Sequence, residues 1–152
     1  MFSIPGWDTT IGYNSFNRYK FECWDIGKEC HQITSEYAYP KLTKITITYK
    51  DRILKMYQDG KLIGKKMISR RLLDTKQEKF LIGIASIDRE DDRKSFRGFV
   101  NDFAYWDKAL EVNEIQGLHQ NKGMSFMVDD KQYSSSDNLK IYYDFKHTKF
   151  NN

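Results

Sequence analysis

The stretch of residues 42–64 constrains the fold more than any other part of the chain. Apolar Ile45, Ile47 and Tyr49 alternate there with lysine and threonine, and this period of two indicates a β-strand with one buried and one solvated face. The chain then turns back into a second alternating run. That run ends at Asp59–Gly60, a dipeptide that supplies the positive φ angles of a two-residue hairpin turn. The stretch therefore predicts two successive hairpins in an antiparallel sheet.

The same alternation recurs along the chain, whereas helical spacing is found in one segment. Strands are predicted at Arg18–Trp24, at residues 80–84 and at Leu139–Phe145. The segment Ala109–Gln120 has apolar residues spaced as on one side of a short helix. We therefore predict an all-β fold, an antiparallel β-sandwich with one short helix.

The segments between these elements are rich in turn-forming residues. Phe2–Asn17 is punctuated by proline and glycine, and we expect at most a short strand within it. Met124–Val128 is predicted to add a strand, and the serine-rich Tyr133–Asp137 to form a flexible turn.

Length and charge narrow the class of protein. At 152 residues the chain has the length of one domain, predicted over residues 1–150. The net charge of +4 is spread along the sequence, and the basic stretch Lys65–Glu78 lacks the interleaved aromatic residues that stack on bases, so we expect no nucleic-acid partner. Met1–Trp7 has neither the basic nor the apolar region of a signal peptide, and no run of 18 apolar residues exists, so we expect no membrane insertion. The cellular compartment stays open.

Several motifs resemble those of one family. Ile45–Asp51 is similar to an apolar "VAVTYDG" strand, and Met56–Gly60 to the "LYVNG" that follows it. Leu81–Gly83 matches an "L-x-I-G" strand, and Phe96–Leu110 matches "F-x-G-x-I-D-E-V-R-I-Y-N-R-A-L". Leu139–Phe145 is similar to a closing "L-x-x-Y-Y-x-F" strand. In order and spacing the chain resembles the laminin G-like and pentraxin-like jelly rolls of the concanavalin A-like lectin/glucanase superfamily, which implies a jelly-roll sandwich.

The resemblance extends to the helix and stops at the N-terminus. Glu114, Ile115 and Leu118 stand where the family has "E-I-x-x-L", and Leu110, Ile115 and Leu118 are expected in the core. The early "F-D-G-x-D-D-Y" strand of the family has no counterpart. We expect a trimmed jelly roll, a part of a larger product, or a partner that covers the exposed sheet edge, because an uncovered apolar edge invites aggregation.

A predicted turn brings the two cysteines together. A four-residue turn at Asp25–Lys28 would set Cys23 across from Cys30, close enough for a disulfide. The alternative of two reduced, half-buried thiols also fits. Cys30 and His31 form a poor zinc signature because no second spaced pair of ligands accompanies them.

The superfamily includes glucanases, so glycosidase activity depends on whether the sequence has two suitably spaced carboxylates. Retaining glycosidases place two carboxylates about 5 Å apart, which Glu-x-Asp-x-Glu or Glu-x-Asp-x-x-Glu on one strand achieves. The sequence has no such string; Glu22, Asp25 and Glu29 straddle a turn with the wrong parity. We predict that the chain is not an enzyme.

The resemblance also bears on calcium. Similar jelly rolls often bind calcium through the aspartate of "I-D-E-V" together with the early "F-D-G" loop. Asn101 stands in place of that aspartate, and affinity follows the number of charged ligands, so we expect weak or absent calcium binding and no other cofactor. Any calcium would be held first by Asn101, Asp102, Asp88 and Asp92.

Two functions remain. In the first, the chain is a non-catalytic binding module for a glycan or a protein surface, as the resemblance implies; in the second, it is a structural subunit of a larger assembly. The chain has 23 aromatic residues, more than one sandwich core takes up, and exposed rings in a patch mark an interface. Strand parity puts Asn101 and Tyr105 on one face and Trp106 on the other. We predict partner contacts at Trp106, Tyr142, Tyr105 and Asn101.

Overall fold

The computed structural model describes residues 2–3, 9–13, 18–35, 42–72, 81–82, 100–120 and 126–145. Within these residues the strands, in chain order, are β1 (Phe2–Ser3), β2 (Thr9–Tyr13), β3 (Tyr19–Trp24), β4 (Cys30–Thr34), β5 (Ile45–Lys50), β6 (Ile53–Gln58), β7 (Lys61–Met67), β8 (Leu81–Ile82), β9 (Asp102–Trp106) and β10 (Leu139–Asp144). The helix α1 spans Val112–Gln120, and a short 3-10 helix, Ser136–Asn138, precedes β10. The registered strand pairs are antiparallel, and the predicted all-β fold with one short helix is confirmed.

The chain divides into two compact units. The first comprises Met1–Gln58 and Leu62–Arg97, and the second comprises Asp59–Lys61 and Gly98–Asn152. A five-stranded sheet (β4-β3-β2-β1-β8) and a three-stranded sheet (β5-β6-β7) fall mostly in the first, while β9, β10 and α1 fall in the second. The single domain expected over residues 1–150 stays a prediction.

The three-stranded sheet is built by two tight turns in succession. The turn Asp51–Arg52 joins β5 to β6, and both residues have positive φ (51° and 62°). Asp59–Gly60 joins β6 to β7 with φ of 51° and 79°. Positive φ at both central positions matches the right-handed twist of the strands that a two-residue turn connects. The two hairpins expected from residues 42–64 are present.

The β3–β4 hairpin has a different register from the one expected. Trp24 is paired with Cys30, and Cys23 is paired with His31, so the loop Asp25–Glu29 has one residue more than the predicted turn. A shift of one residue moves a side chain to the other face of a strand. The predicted placement of Cys23 opposite Cys30 is therefore wrong, and both thiols are free.

The side chain of Asp25 explains the longer loop. Its Oδ1 accepts hydrogen bonds from the backbone N–H groups of Gly27 (2.8 Å) and Glu29 (3.0 Å). The backbone N–H of Ile26 donates to the carbonyl of Arg71, and Asp25 forms an isolated antiparallel bridge with Leu72. The loop is thus held from inside by one carboxylate and from outside by the segment that follows β7.

The core of the first unit lies between its two sheets. Phe21, Cys23 and Ile33 come from the five-stranded sheet, and Leu54 and Met56 come from β6. The buried Ile68 and Leu72 complete the cluster, and Ile45, Ile47 and Tyr49 pack against it as their alternation predicted. Burial of each large side chain contributes roughly 1.5–3 kcal/mol. Thr48 departs from the pattern, since it is buried on the strand face that was expected to be solvated.

Burial sets the chemistry of the two thiols apart. Cys23 is fully buried, and this burial, with smaller contributions from nearby Cys30 and Asp25, raises the pKa of its thiol to about 12. Cys30 is partly exposed. The structure therefore fits the alternative of two reduced thiols, and the buried thiol of Cys23 is chemically unreactive in the folded chain.

In the second unit, several hydrogen bonds converge on the side chain of Glu114 at the start of α1. Its carboxylate accepts the backbone N–H of Glu111 (2.9 Å), which caps the helix N-terminus, and it also accepts the hydroxyl of Ser135 and the backbone N–H of Ser134 (3.1 Å). The apolar side of the helix, Leu110, Ile115 and Leu118, is buried as predicted.

This arrangement corrects the expectation for the serine-rich segment. Tyr133 and Ser135 are fully buried, and Glu114 holds the segment in place, so the prediction of a flexible turn over Tyr133–Asp137 is wrong. The described part of Met124–Val128 is a turn and a bend in place of the expected strand. No described helix has the length and apolarity needed to cross a membrane.

Candidate functional site

The β9–β10 hairpin carries the residues that the sequence singled out. Tyr142 is paired with Ala104, Tyr143 with Phe103, and Asp144 with Asp102. The register shifts between Leu139 and Ile141. Because paired residues point to the same side, the hairpin has one face with Asp102, Trp106 and Tyr142 and an opposite face with Phe103, Tyr105 and Tyr143.

The first face carries a packed group of four rings, here called the Trp106 cluster: Trp106, Phe126, Tyr133 and Tyr142. Phe126 meets the rings of Trp106 and Tyr142 edge to face, with centroids 5.7 and 5.0 Å apart. Trp106 Nε1 donates to the hydroxyl of Tyr133 (2.7 Å), which in turn donates to the carbonyl of Phe126 (2.9 Å). The polar atoms of Trp106 and Tyr133 are thus used within the chain.

The two tyrosines of the Trp106 cluster stay protonated. Burial raises the pKa of Tyr133, and the hydrogen bond from Trp106 only partly offsets this. Burial likewise raises the pKa of Tyr142, and the negative charge of Asp102 adds to the effect. Both hydroxyls therefore act as hydrogen-bond donors and not as acids near neutral pH.

The opposite face carries a stacked pair of rings, of which Tyr143 is exposed and Phe145 is half-buried. Tyr143 is 56% exposed, and its ring stacks on that of Phe145 with centroids 5.8 Å apart and planes 27° apart. The backbone N–H of Phe145 donates to the carbonyl of Asn101 (3.1 Å), so the end of β10 is tied to the start of β9. We call Tyr143 and Phe145 the ring pair.

Polar groups lie at the same end of the hairpin. Asn101 Nδ2 donates to Asp102 Oδ2 (2.7 Å), and the hydroxyl of Tyr142 donates to Asp102 Oδ1 (3.2 Å). Asp102 lies across from Asp144, which brings two carboxylates to the hairpin end. Asp102, Tyr142 and Asp144 lie on the face opposite the ring pair, and of these polar groups only Asn101 has the strand parity of the ring pair.

The structure separates the four predicted contact residues. Trp106 and Tyr142 lie in the Trp106 cluster, whereas Tyr105 lies half-buried on the face of the ring pair, and Asn101 lies at the hairpin end. Their role in binding stays a prediction. Of the predicted calcium ligands, Asn101 and Asp102 bond each other, and Asp88 and Asp92 lie outside the described residues.

Sequence reasoning missed the ring pair, since alternation along β10 shows two faces and does not tell which one is solvated. It also missed the Glu114 carboxylate as a structural centre, although the "E-I-x-x-L" motif pointed to that position. A third omission is a group of Asp25, Glu29 and His31, whose candidate ligand atoms lie within 4.8 Å of one another. The register error at the β3–β4 loop concealed it.

Comparison with known families agrees with this architecture. The model of a laminin G-type family, described as the concanavalin A-like lectin/glucanases superfamily, matches residues 4–116. No curated protein sequence matches the chain. Among solved structures, an S-layer domain-containing protein from Clostridium thermocellum is similar, with 20% identity and a TM-score of 0.44. That match covers 77% of this chain and 64% of the crystallised one, so this chain spans less than two thirds of its length.

The family match indicates the general class of function. Domains of this kind are generally binding modules without catalytic activity, although glucanases occur in the superfamily. The match covers most of the chain and includes the hairpins of the first unit, β9 and the first turn of α1. The chain therefore belongs to the concanavalin A-like lectin/glucanases superfamily, as a laminin G-like domain.

Proposed function

We propose that this domain is a non-catalytic module that binds a glycan through the ring pair, with Asn101 and Tyr105 beside it. The observation that carries the proposal is the exposed ring of Tyr143, which is stacked on the half-buried ring of Phe145. Aromatic rings present an apolar face that packs against the C–H face of a sugar, while nearby polar groups bond its hydroxyls.

The ring pair is held in place before any ligand arrives. Tyr143 is anchored by its pairing with Phe103 in β9, and Phe145 by its backbone hydrogen bond to Asn101. A surface that is already ordered loses little conformational entropy on binding. The Trp106 cluster supports the hairpin from the other face, so Trp106 and Tyr142 contribute to binding by positioning the strand that carries the rings.

The test is a glycan array probed with the intact chain, followed by calorimetric titration of the best ligand. Tyr143→Ala is expected to weaken binding by about tenfold or more, because it removes the exposed ring, whereas Tyr143→Phe keeps the ring and most of the affinity. Met127→Ser is the matched control, since Met127 is another exposed apolar residue (69%) of the same unit outside the hairpin. Equal affinity of Tyr143→Ala and the unchanged chain would contradict the proposal.

A protein partner is the second candidate, and it rests on the strand edges. In the described part of the second unit, β9 and β10 form a two-stranded sheet, so each leaves one edge without a registered strand neighbour. Such edges accept a strand from another chain, as expected for a structural subunit. Light scattering of the purified chain tests this candidate: a strict monomer at micromolar concentration speaks against self-association, and a concentration-dependent oligomer supports packing through the edges.

A further inference from the structure

We infer that Asp25, Glu29 and His31, here called the loop triad, bind a divalent transition-metal ion such as zinc. The three residues lie at the β3–β4 loop in the first unit, away in sequence from the proposed glycan site. Their candidate ligand atoms lie within 4.8 Å of one another. One imidazole and two carboxylates are ligands that zinc accepts in sites with a fourth, open position.

The distance between the two buried members suits a shared ion. His31 Nε2 lies 3.2 Å from Asp25 Oδ2. Two donors that are each about 2.1 Å from one zinc ion, at the tetrahedral angle, lie about 3.4 Å apart. The observed pair needs only a small adjustment to take an ion between these atoms.

Asp25 is oriented for this role by its other oxygen. Oδ1 accepts the backbone N–H groups of Gly27 and Glu29, while Oδ2 faces His31. Hydrogen bonds from the backbone to a liganding carboxylate hold its orientation in metal sites.

His31 offers one ring nitrogen to the triad. Its side chain is only 3% exposed, and within the described part of the chain its Nδ1 has no hydrogen-bond partner. The unpartnered Nδ1 is the ring nitrogen other than the one that faces Asp25, so it does not point into the triad. Nε2, which faces the Asp25 carboxylate, is the nitrogen that would bind the ion.

Glu29 makes the site accessible and selective. Glu29 is exposed, so its side chain can turn toward the other two ligands until the three lie about 3.4 Å apart, the spacing of a tetrahedral zinc site. Calcium is disfavoured, since it takes six to eight oxygen ligands. The Arg70 guanidinium lies close to Gly27 and adds one positive charge to the loop. The two carboxylates of the loop triad together carry more charge than this one cation.

The experiment is a calorimetric titration of the intact, chelator-treated chain with zinc chloride, with cobalt(II) absorption as a second readout of a tetrahedral site. We expect one ion per chain, a melting temperature raised by zinc and restored by EDTA, and visible d–d bands with cobalt. Glu29→Gln should weaken zinc binding by about tenfold or more without unfolding the chain, because this side chain is exposed.

Two controls keep the outcome decisive. Glu22→Gln removes a carboxylate of β3 outside the triad, and His119→Gln removes an imidazole of the other unit; both should leave zinc affinity unchanged. Absence of one-to-one binding at millimolar zinc overturns the inference. It is equally overturned if Glu29→Gln binds zinc as tightly as the unchanged chain, or if His119→Gln abolishes the binding.

Discussion

Replacement of Glu114 is the most informative perturbation of the second unit. The side chain is 4% exposed and accepts hydrogen bonds from three residues: Glu111, Ser134 and Ser135. Hydrogen bonds to a charged group contribute roughly 1.5–3 kcal/mol each, and a buried donor left without its acceptor is destabilising by a similar amount. Ser134 is exposed, so water replaces its lost partner, whereas Ser135 is buried and has no such substitute.

From these contacts we expect Glu114→Ala to lower the free energy of unfolding by about 3–5 kcal/mol, a value that also includes the lost helix cap. Glu114→Gln keeps the volume and one acceptor oxygen, and it should lose about 2 kcal/mol. Urea titration followed by tryptophan fluorescence measures both values, because Trp106 lies in the same unit. Gln116→Ala is the matched control on the exposed side of α1, and it should change stability by less than about 0.5 kcal/mol.

The pH dependence gives a second check on the same carboxylate. Burial opposes its ionisation, but the bonds from Ser135, Glu111 and Ser134 and the charge of Lys108 lower its pKa below the value in the unfolded chain. A lowered pKa contributes stability that is fully present above the unfolded value, about 4.3, and is lost as the pH falls through the folded value. The stability gap between the unchanged chain and Glu114→Gln should therefore be constant from about pH 6 to 8 and shrink below about pH 4. A gap below about 0.5 kcal/mol at neutral pH, or one that grows in acid, would refute the role given to this carboxylate.

The first unit and the Trp106 cluster can be tested by simpler measurements. Thiol labelling of the native chain should modify Cys30 and spare Cys23, whose pKa is raised to about 12 by burial. Cys23 should react only after denaturant is added, and rapid labelling of both thiols in the native chain would contradict this expectation. Gly64→Ala should lower stability by about 1–3 kcal/mol in a urea titration, because the added Cβ would collide with Ile33 Cγ2; an unchanged midpoint would mean that the sheets adjust freely. Trp106→Phe should lower stability by about 1–2 kcal/mol through loss of the indole bond to a buried tyrosine hydroxyl, and an unchanged stability would show that this bond contributes nothing.

Local patterns were sufficient to predict the hairpins of the three-stranded sheet. Alternation indicated the strands β5 and β6, and Asp59–Gly60 marked the second turn, because both signals depend on neighbouring residues alone. The register of the β3–β4 hairpin could not be predicted in this way. It depends on the Asp25 carboxylate, which accepts two backbone N–H groups inside the loop and so lengthens it by one residue.

Long-range partners account for the other differences. Serine-rich composition predicted a flexible turn at Tyr133–Asp137, whereas a glutamate 20 or 21 positions earlier holds the segment in place. Likewise, the sequence showed an excess of aromatic residues but not which face of the closing hairpin would be solvated. Tyr143 and Tyr142 are neighbours in sequence, and contacts of Tyr142 with Phe126 and Asp102, both distant in sequence, distinguish its environment from that of exposed Tyr143.

The hydrogen bonds of Glu114 also couple the local unfolding of two segments that are distant in sequence, α1 and the serine-rich segment. Helix α1 has nine residues, which is too short to be stable alone in water, and the serine-rich segment has no regular structure before its 3-10 turn. Each provides the other's missing contacts across 20 or 21 positions of chain. Amide protons of Glu111 and Ser134 should accordingly exchange with solvent through a shared opening event, at matching rates that respond together to denaturant. The unit would then lose both segments in a single step and would not fray from the helix end.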